Sequence, residues 1–418
     1  MTGRTQQHFL DLFARLAEVY GTRLPRNRQG LALPPAQACH RPLLTENLPG
    51  IRYGYGDPCV IHDAKRGEWL AVVTSNDAPD SFPILRSPDL AQWELATFAF
   101  PRGHHPAWAM TQAGQADFWA PELHKVGERY LLCFAAREHD GTMAIAVASA
   151  ASPIGPFRLP ERPLLRGGAI DAHLFVPADG DPILFWKEDS NALWPELLAD
   201  LLGDWPDLAA KLFDAQSDQR TAAVSAALWP AARDWPPMER FFVLQPLIEA
   251  VTSRFAAVRM RFAERAGETA GAILSAMETR IFAQDLAPDG SALRGERRVV
   301  LVNDQRWEAH LIEGPWLTAA DGRYFLFYSG NDFSTHDYGI GVAVADDPKG
   351  PFRKQPEPLL RSDAAWIGPG HPSVGAGPDG LPQLFYHAYH PGHGGYNTFR
   401  ALLTARLNFT DGRVQIGC

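Results

Sequence analysis

One short unit recurs five times along this chain and limits its fold more than any other feature: a turn rich in Gly and Asp, then a short strand of apolar and aromatic residues. The copies are Arg66-Gly-Glu-Trp-Leu-Ala-Val-Val, Val126-Gly-Glu-Arg-Tyr-Leu-Leu-Cys-Phe, Asp179-Gly-Asp-Pro-Ile-Leu-Phe-Trp, Asp321-Gly-Arg-Tyr-Phe-Leu-Phe-Tyr and Asp379-Gly-Leu-Pro-Gln-Leu-Phe-Tyr. Each reads as the hairpin and second strand of a four-stranded antiparallel unit. A longer repeat supports the shorter one. Val147-Ala-Ser-Ala-Ala-Ser-Pro-Ile-Gly-Pro-Phe-Arg matches Val342-Ala-Val-Ala-Asp-Asp-Pro-Lys-Gly-Pro-Phe-Arg, and both lead to Pro-Leu-Leu-Arg. Small sheets repeated radially cover one another's apolar faces and leave only short edges. The pattern predicts an all-β fold, a five-bladed β-propeller.

The copies follow at roughly fifty to sixty residues, except between the third and fourth. There, 192–281 has a helical texture, with Leu244, Leu247, Ile248, Val251, Phe255, Val258 and Phe262 at three-and-four spacing. This predicts a helical insertion into a propeller that otherwise runs over 51–418. Residues 1–50 read as an N-terminal extension with its own helix, whose stripe Phe9, Leu12, Phe13, Leu16 and Val19 is closed by Gly21. Trp194, Trp205, Trp229 and Trp235 of the insertion are either sugar platforms or, by the commoner use of tryptophan, helix-packing residues.

The phase of the repeat brings chemistry together. Asp57 lies ten residues before Gly67, while Asp171, Glu313 and His371 each lie nine before Gly180, Gly322 and Gly380. If each blade's first strand runs down to its Gly turn, these four residues share one end of the propeller. Innermost strands converge on the axis, so three carboxylates would face one another across one pocket, an arrangement whose repulsion is tolerated for function. The same phase makes the insertion leave from that end, after Phe185-Trp186, where it would serve as a lid, a pocket wall or a contact between copies.

A net charge of −9 without a basic stripe argues against nucleic acid as a partner. No stretch approaches about eighteen uninterrupted apolar residues. Met1 to Gly21 lacks a basic start followed by an apolar run. The expectation is a cytoplasmic protein without a membrane partner. Cys39, Cys59, Cys133 and Cys418 are scattered, which suits neither a disulfide framework nor a zinc site.

Read in order, Tyr53-Gly-Tyr-Gly-Asp-Pro, Asp117-Phe-Trp-Ala-Pro-Glu, Ala169-Ile-Asp-Ala-His-Leu-Phe, Ile312-Glu-Gly-Pro-Trp and Gly368-Pro-Gly-His-Pro-Ser resemble glycoside hydrolase family 43, from Tyr53 to the C-terminus apart from the insertion. The resemblance implies an inverting glycosidase with Asp57 as general base, Glu313 as general acid, and Asp171 orienting the acid and raising its pKa. It implies that Arg400 hydrogen-bonds substrate hydroxyls and that Trp119 offers an aromatic face, unless Trp119 is blade core. His371 is either a support for the base side, through water or a structural calcium on the axis, or a hydrogen-bonding residue of the scaffold; no cofactor is required. Substrates would be oligosaccharides ending in α-L-arabinofuranosyl or β-D-xylosyl units, cleaved from the end. An endo-acting arabinanase and a non-catalytic sugar-binding propeller are the competing readings, and the insertion offers a face for a homo-oligomer.

Overall fold

All five turn glycines have positive φ: Gly67 at 67°, Gly127 at 59°, Gly180 at 106°, Gly322 at 72° and Gly380 at 76°. A Cβ at Gly67, Gly127, Gly322 or Gly380 would meet nothing within 4 Å, so the demand for glycine there is conformational rather than steric. Each turn folds its flanking strands into the first hairpin of a sheet. The computed structural model describes residues 15, 21–22, 32–112, 116–191, 193–235, 237–265 and 270–417. The helix expected near the N-terminus lies outside them.

The first strand, β1 (Arg41–Leu44), belongs with the last sheet. Four strands make the first sheet: β2 (Gly56–Asp63), β3 (Glu68–Thr74), β4 (Ser81–Ser87) and β5 (Glu94–Phe100). The second comprises β6 (Phe118–Val126), β7 (Arg129–Arg137) and β8 (Met143–Ala150), and the third β9 (Ala169–Phe175), β10 (Ile183–Glu188), β11 (Arg280–Leu286) and β12 (Leu293–Val302). In the fourth are β13 (Ile312–Ala320), β14 (Arg323–Gly330), β15 (Gly339–Ala345) and β16 (Arg353–Lys354). The fifth joins β17 (Ile367–Ala376), β18 (Pro382–Tyr389) and β19 (Ala401–Thr410), with β20 (Arg413–Gly417) and β1 sharing the far edge of β19. The first strands of successive sheets touch in a cycle, β2 to β6 to β9 to β13 to β17 and back to β2. Five antiparallel sheets in a closed ring are consistent with a five-bladed propeller.

Rings fill the wedge between the first two sheets. Phe82, Phe100, Phe118 and Phe134 meet edge to face, with Phe100 and Phe134 centroids 4.9 Å apart. The longer repeat also has a structural counterpart. Arg353 pairs with Val344 to make β16, while Arg158 makes only an isolated bridge to Ser149. That single bridge is why the second sheet has three strands.

Between β10 and β11 the described residues form six helices: α1 (Leu193–Asp204), α2 (Leu208–Leu212), α3 (Gln216–Ala232), α4 (Pro237–Thr252), α5 (Phe255–Arg265) and α6 (Ala270–Ala276). They enclose their own core, which includes Leu198, Leu208, Leu247 and Phe262. Trp194 and Trp229 are buried in that core and Trp205 packs at its margin under Lys211, which makes them packing residues. Trp235 is exposed. At the seam, Trp194 and Phe255 rest against His310 of the propeller, with centroids 5.2 and 6.3 Å away.

Candidate active site

The five first strands share one irregularity. Each pairs in register with its neighbour until a bulge, and at that bulge a residue takes a left-handed backbone: Asp57 (φ 47°), Ala120 (φ 45°), Asp171 (φ 57°), Gly314 (φ 56°) and His371 (φ 52°). Asp, His and Gly tolerate this region better than most residues. A bulge re-aims side chains out of the sheet's alternation and leaves a backbone N–H without its ladder partner.

Those freed donors are taken up by the preceding sheet. Asp57 N–H donates to His387 Nδ1 (3.1 Å), Ala120 N–H to Thr74 Oγ1 (2.7 Å), Gly314 N–H to Asp171 Oδ2 (2.9 Å) and His371 N–H to Ser329 Oγ (2.7 Å). A second tier lies three residues further along. Val60 N–H donates to Ser373 Oγ (3.3 Å), Leu123 N–H to Cys59 Sγ (3.3 Å) and Leu317 N–H to His173 Nε2 (2.9 Å). Side chains of one sheet thus hold the bulges of the next and fix the level at which the carboxylates emerge.

Above the bulges lies a pocket open to solvent. Asp57, Trp119, Asp171, Glu313, His371 and Arg400, each singled out in the sequence, all line it. Arg400 Nη1 donates to Asp57 Oδ1 at 2.9 Å, and His371 Nδ1 lies 3.4 Å from the same oxygen. Gly56 makes room for this, since a Cβ there would fall 1.7 Å from the Arg400 guanidinium carbon. Burial is the largest influence on the Asp57 carboxyl and pushes it up, but the groups facing it, Arg400 foremost, together outweigh burial and hold the group well below the usual carboxylate range.

Across the pocket, Glu313 Oε1 accepts from the Tyr338 hydroxyl (2.7 Å), and its Oε2 lies 3.5 Å from Lys187 Nζ, which also donates to Asn191 Oδ1 (2.6 Å). Burial pushes the Glu313 carboxyl up, Lys187 pulls it down and the charge of Asp171 pushes it up again; the net direction is upward. Asp171 is raised too, chiefly by burial. One carboxylate is therefore held ionised while the other is biased to keep its proton.

Sequence reasoning missed Lys187, His387, Tyr338 and Asn191. The first two carry a legible signal: seven residues after the turn glycines stand Thr74, Lys187, Ser329 and His387, whose strands bring them back up to the bulges. Tyr338 and Asn191 stand on connections that no repeat phase reaches. His387 Nδ1 accepts the Asp57 N–H, so its proton is on Nε2, and the 3.4 Å approach of Nδ1 to Asp57 Oδ1 is no ion pair. Burial keeps this ring neutral. Asp77, also unforeseen, lines the pocket and is pushed up to about 8 by burial and by Asp117, giving a neutral acid that can donate to a hydroxyl.

Deeper in the molecule, a carboxylate oxygen of Glu122 and one ring nitrogen each of His124 and His173 would suit a metal by spacing, these atoms lying within 4.8 Å of one another. The bonding excludes this at His173. Its Nε2 accepts from Leu317, so Nδ1 carries the proton and donates to Glu122 Oε2 at 2.8 Å, while His124 Nε2 meets the same oxygen at 2.7 Å. Among the described residues no comparable set of three converges on His371.

The sequence profile described as Glycosyl hydrolases family 43 matches residues 47–204 and 268–414, skipping most of the insertion. A beta-D-galactofuranosidase of Aspergillus niger is 38% identical over 80 residues, 19% of this chain and 23% of that protein. Xylosidase/arabinosidase 43A of Humicola insolens is 29% identical over 106 residues, 25% of this chain and 31% of that protein. The matched segments thus span less than a third of either curated relative. A crystal structure of a thermostable family-43 glycoside hydrolase superposes with a TM-score of 0.62 at 25% identity, over 90% of this chain and 96% of the other. An endo-arabinase of Bacteroides thetaiotaomicron shares the fold, with a TM-score of 0.54 at 18% identity over 88% of this chain and 99% of that one.

Proposed function

The chain belongs to glycosyl hydrolases family 43, and from that premise we propose that it is an inverting, exo-acting enzyme that releases terminal α-L-arabinofuranosyl or β-D-xylosyl units from oligosaccharides. The observation that carries this reading is the split between two carboxylates lining one pocket, Asp57 held ionised by Arg400 and Glu313 biased towards its protonated form. An inverting glycosidase needs that division of labour.

In this mechanism Asp57 takes a proton from a water molecule as the water oxygen bonds to the anomeric carbon. The bond to the leaving oxygen breaks on the opposite face, and Glu313 gives that oxygen its proton. Asp171 binds the N–H of Gly314, next to the acid, and its charge opposes ionisation of Glu313. Arg400 steadies the base, and the guanidinium donors not spent on Asp57 are suited to substrate hydroxyls. The names of the curated relatives, a galactofuranosidase and a xylosidase/arabinosidase, are in keeping with a five-membered or pentose sugar. Phe241 of the insertion packs against Phe333 and Tyr396 of the pocket wall, which favours a closed end and hence exo-action. No cofactor enters any step.

The test is product stereochemistry. Nitrophenyl α-L-arabinofuranoside and β-D-xyloside, incubated with the protein in EDTA and followed by NMR, should yield the inverted anomer from one of the two. Asp57→Asn should lose about 10²–10⁴-fold in kcat. A retained anomer, or full activity in Asp57→Asn, would overturn the reading.

A further inference from the structure

A second cavity opens between the insertion and the propeller. It is continuous in its walls with the catalytic pocket: Trp119, Asn191, Phe333 and Tyr396 line both. Arg240 and Phe241 of α4 line only the second. Phe241 closes a cluster of half-buried rings, 5.0 Å from Tyr396 and 5.7 Å from Phe333, with Phe333 and Tyr396 5.2 Å apart and Trp119 6.2 Å from Tyr396. We propose that this cavity is a subsite for the leaving-group sugar, built by the insertion, and that its occupant is a neutral glycosyl unit. This rests on the glycosidase reading above.

Two observations place the leaving group here rather than the sugar that is released. The cavity lies on the side of the acid, because Leu311, two residues before Glu313, lines it, as does Asn191, which is bonded to the Lys187 beside Glu313. Asp57, Arg400 and His387 line only the first pocket, as does Glu313 itself, so the second cavity reaches the acid through Leu311 and Asn191. The chemistry of the walls selects the occupant. Flat aromatic faces suit the C–H surface of a sugar ring. Arg240 meets Glu196 through Nη1 at 3.3 Å and keeps 30% of its side chain exposed, so its guanidinium fork brings further donors to the cavity wall for a hydroxyl. The charges nearly cancel, Arg137 and Arg240 standing against Asp189, Glu196 and Asp332, which gives a carboxylate-bearing sugar no net attraction.

The experiment reads binding apart from turnover. Calorimetry on Glu313→Gln with xylobiose and α-1,5-linked arabinobiose, against xylose and arabinose, should show the disaccharide binding more tightly than its monosaccharide. In Phe241→Ala on that background the disaccharide's advantage should shrink about tenfold. Arg240→Ala should shrink it as well, and Phe241→Tyr should keep it, with melting temperatures marking any variant that has lost its fold. An advantage unchanged in both alanine variants, or no disaccharide advantage at all, overturns the subsite. Hydrolysis of arabinofuranosyl and xylosyl fluorides by the wild type, which need no leaving-group sugar, judges the glycosidase reading separately. A protein inert on the fluorides that still shows the Phe241-dependent advantage keeps the subsite and loses the enzyme.

Discussion

Lys187 brings an ammonium group beside the proposed acid, 3.5 Å away, with its side chain wholly withdrawn from solvent. Its charge works against the other influences on Glu313, since burial and Asp171 push that carboxyl up and Lys187 pulls it down. Removing the ammonium must therefore let Glu313 hold its proton to higher pH. Lys187→Met is expected to move the alkaline limb of the kcat–pH profile upward, and a limb that stays or falls would separate Lys187 from the acid. The residue could have been found by counting forward from Gly180, but its contact with Glu313 joins two sheets and is invisible in either segment alone. Arg400 shows the converse. The resemblance implies a grip on substrate hydroxyls, and the fold adds a bond from one Arg400 nitrogen to Asp57.

At the scale of the strand, the bulge is the device that makes a sheet into a site. A regular ladder would send neighbouring side chains to opposite faces; the left-handed turn at Asp57, Asp171 and His371 breaks that alternation in the strands nearest the axis. The break frees N–H groups, and the tier of acceptors two residues beyond each bulge, Cys59, His173 and Ser373, binds sheet to sheet. The fourth strand has Trp316 at that position, and an indole offers no acceptor. Ser373→Ala should leave the buried Val60 N–H unpaired and also lose the bond from Ser373 Oγ to Pro58 O (2.7 Å), costing about 1–3 kcal/mol in a denaturant titration. No loss would mean that apolar packing, not this tier, holds the ring in register.

The whole molecule has two kinds of core, one between the sheets and one inside the insertion, meeting at His310 and at the rings of Phe333 and Tyr396. Units with separate cores open separately. Amide exchange followed against denaturant should therefore give the helices of 193–276 a lower opening free energy than β2, β6, β13 and β17; a single shared isotherm would show one cooperative unit. The chain closes its ring by laying β1 beside β19, a pairing of residues more than three hundred positions apart. The sequence by itself determined the five hairpins, the helical interruption and the shared level of Asp57, Asp171, Glu313 and His371, because these follow from local turn chemistry and from a period counted along the chain. Tertiary structure decided which charge faces which: Arg400 on Asp57, Lys187 on Glu313, Asp171 on Gly314, and the insertion's aromatic wall against Tyr396. Those pairings depend on distances between sheets far apart in sequence, and a repeat that makes the blades alike cannot say how each differs at its junction with the next.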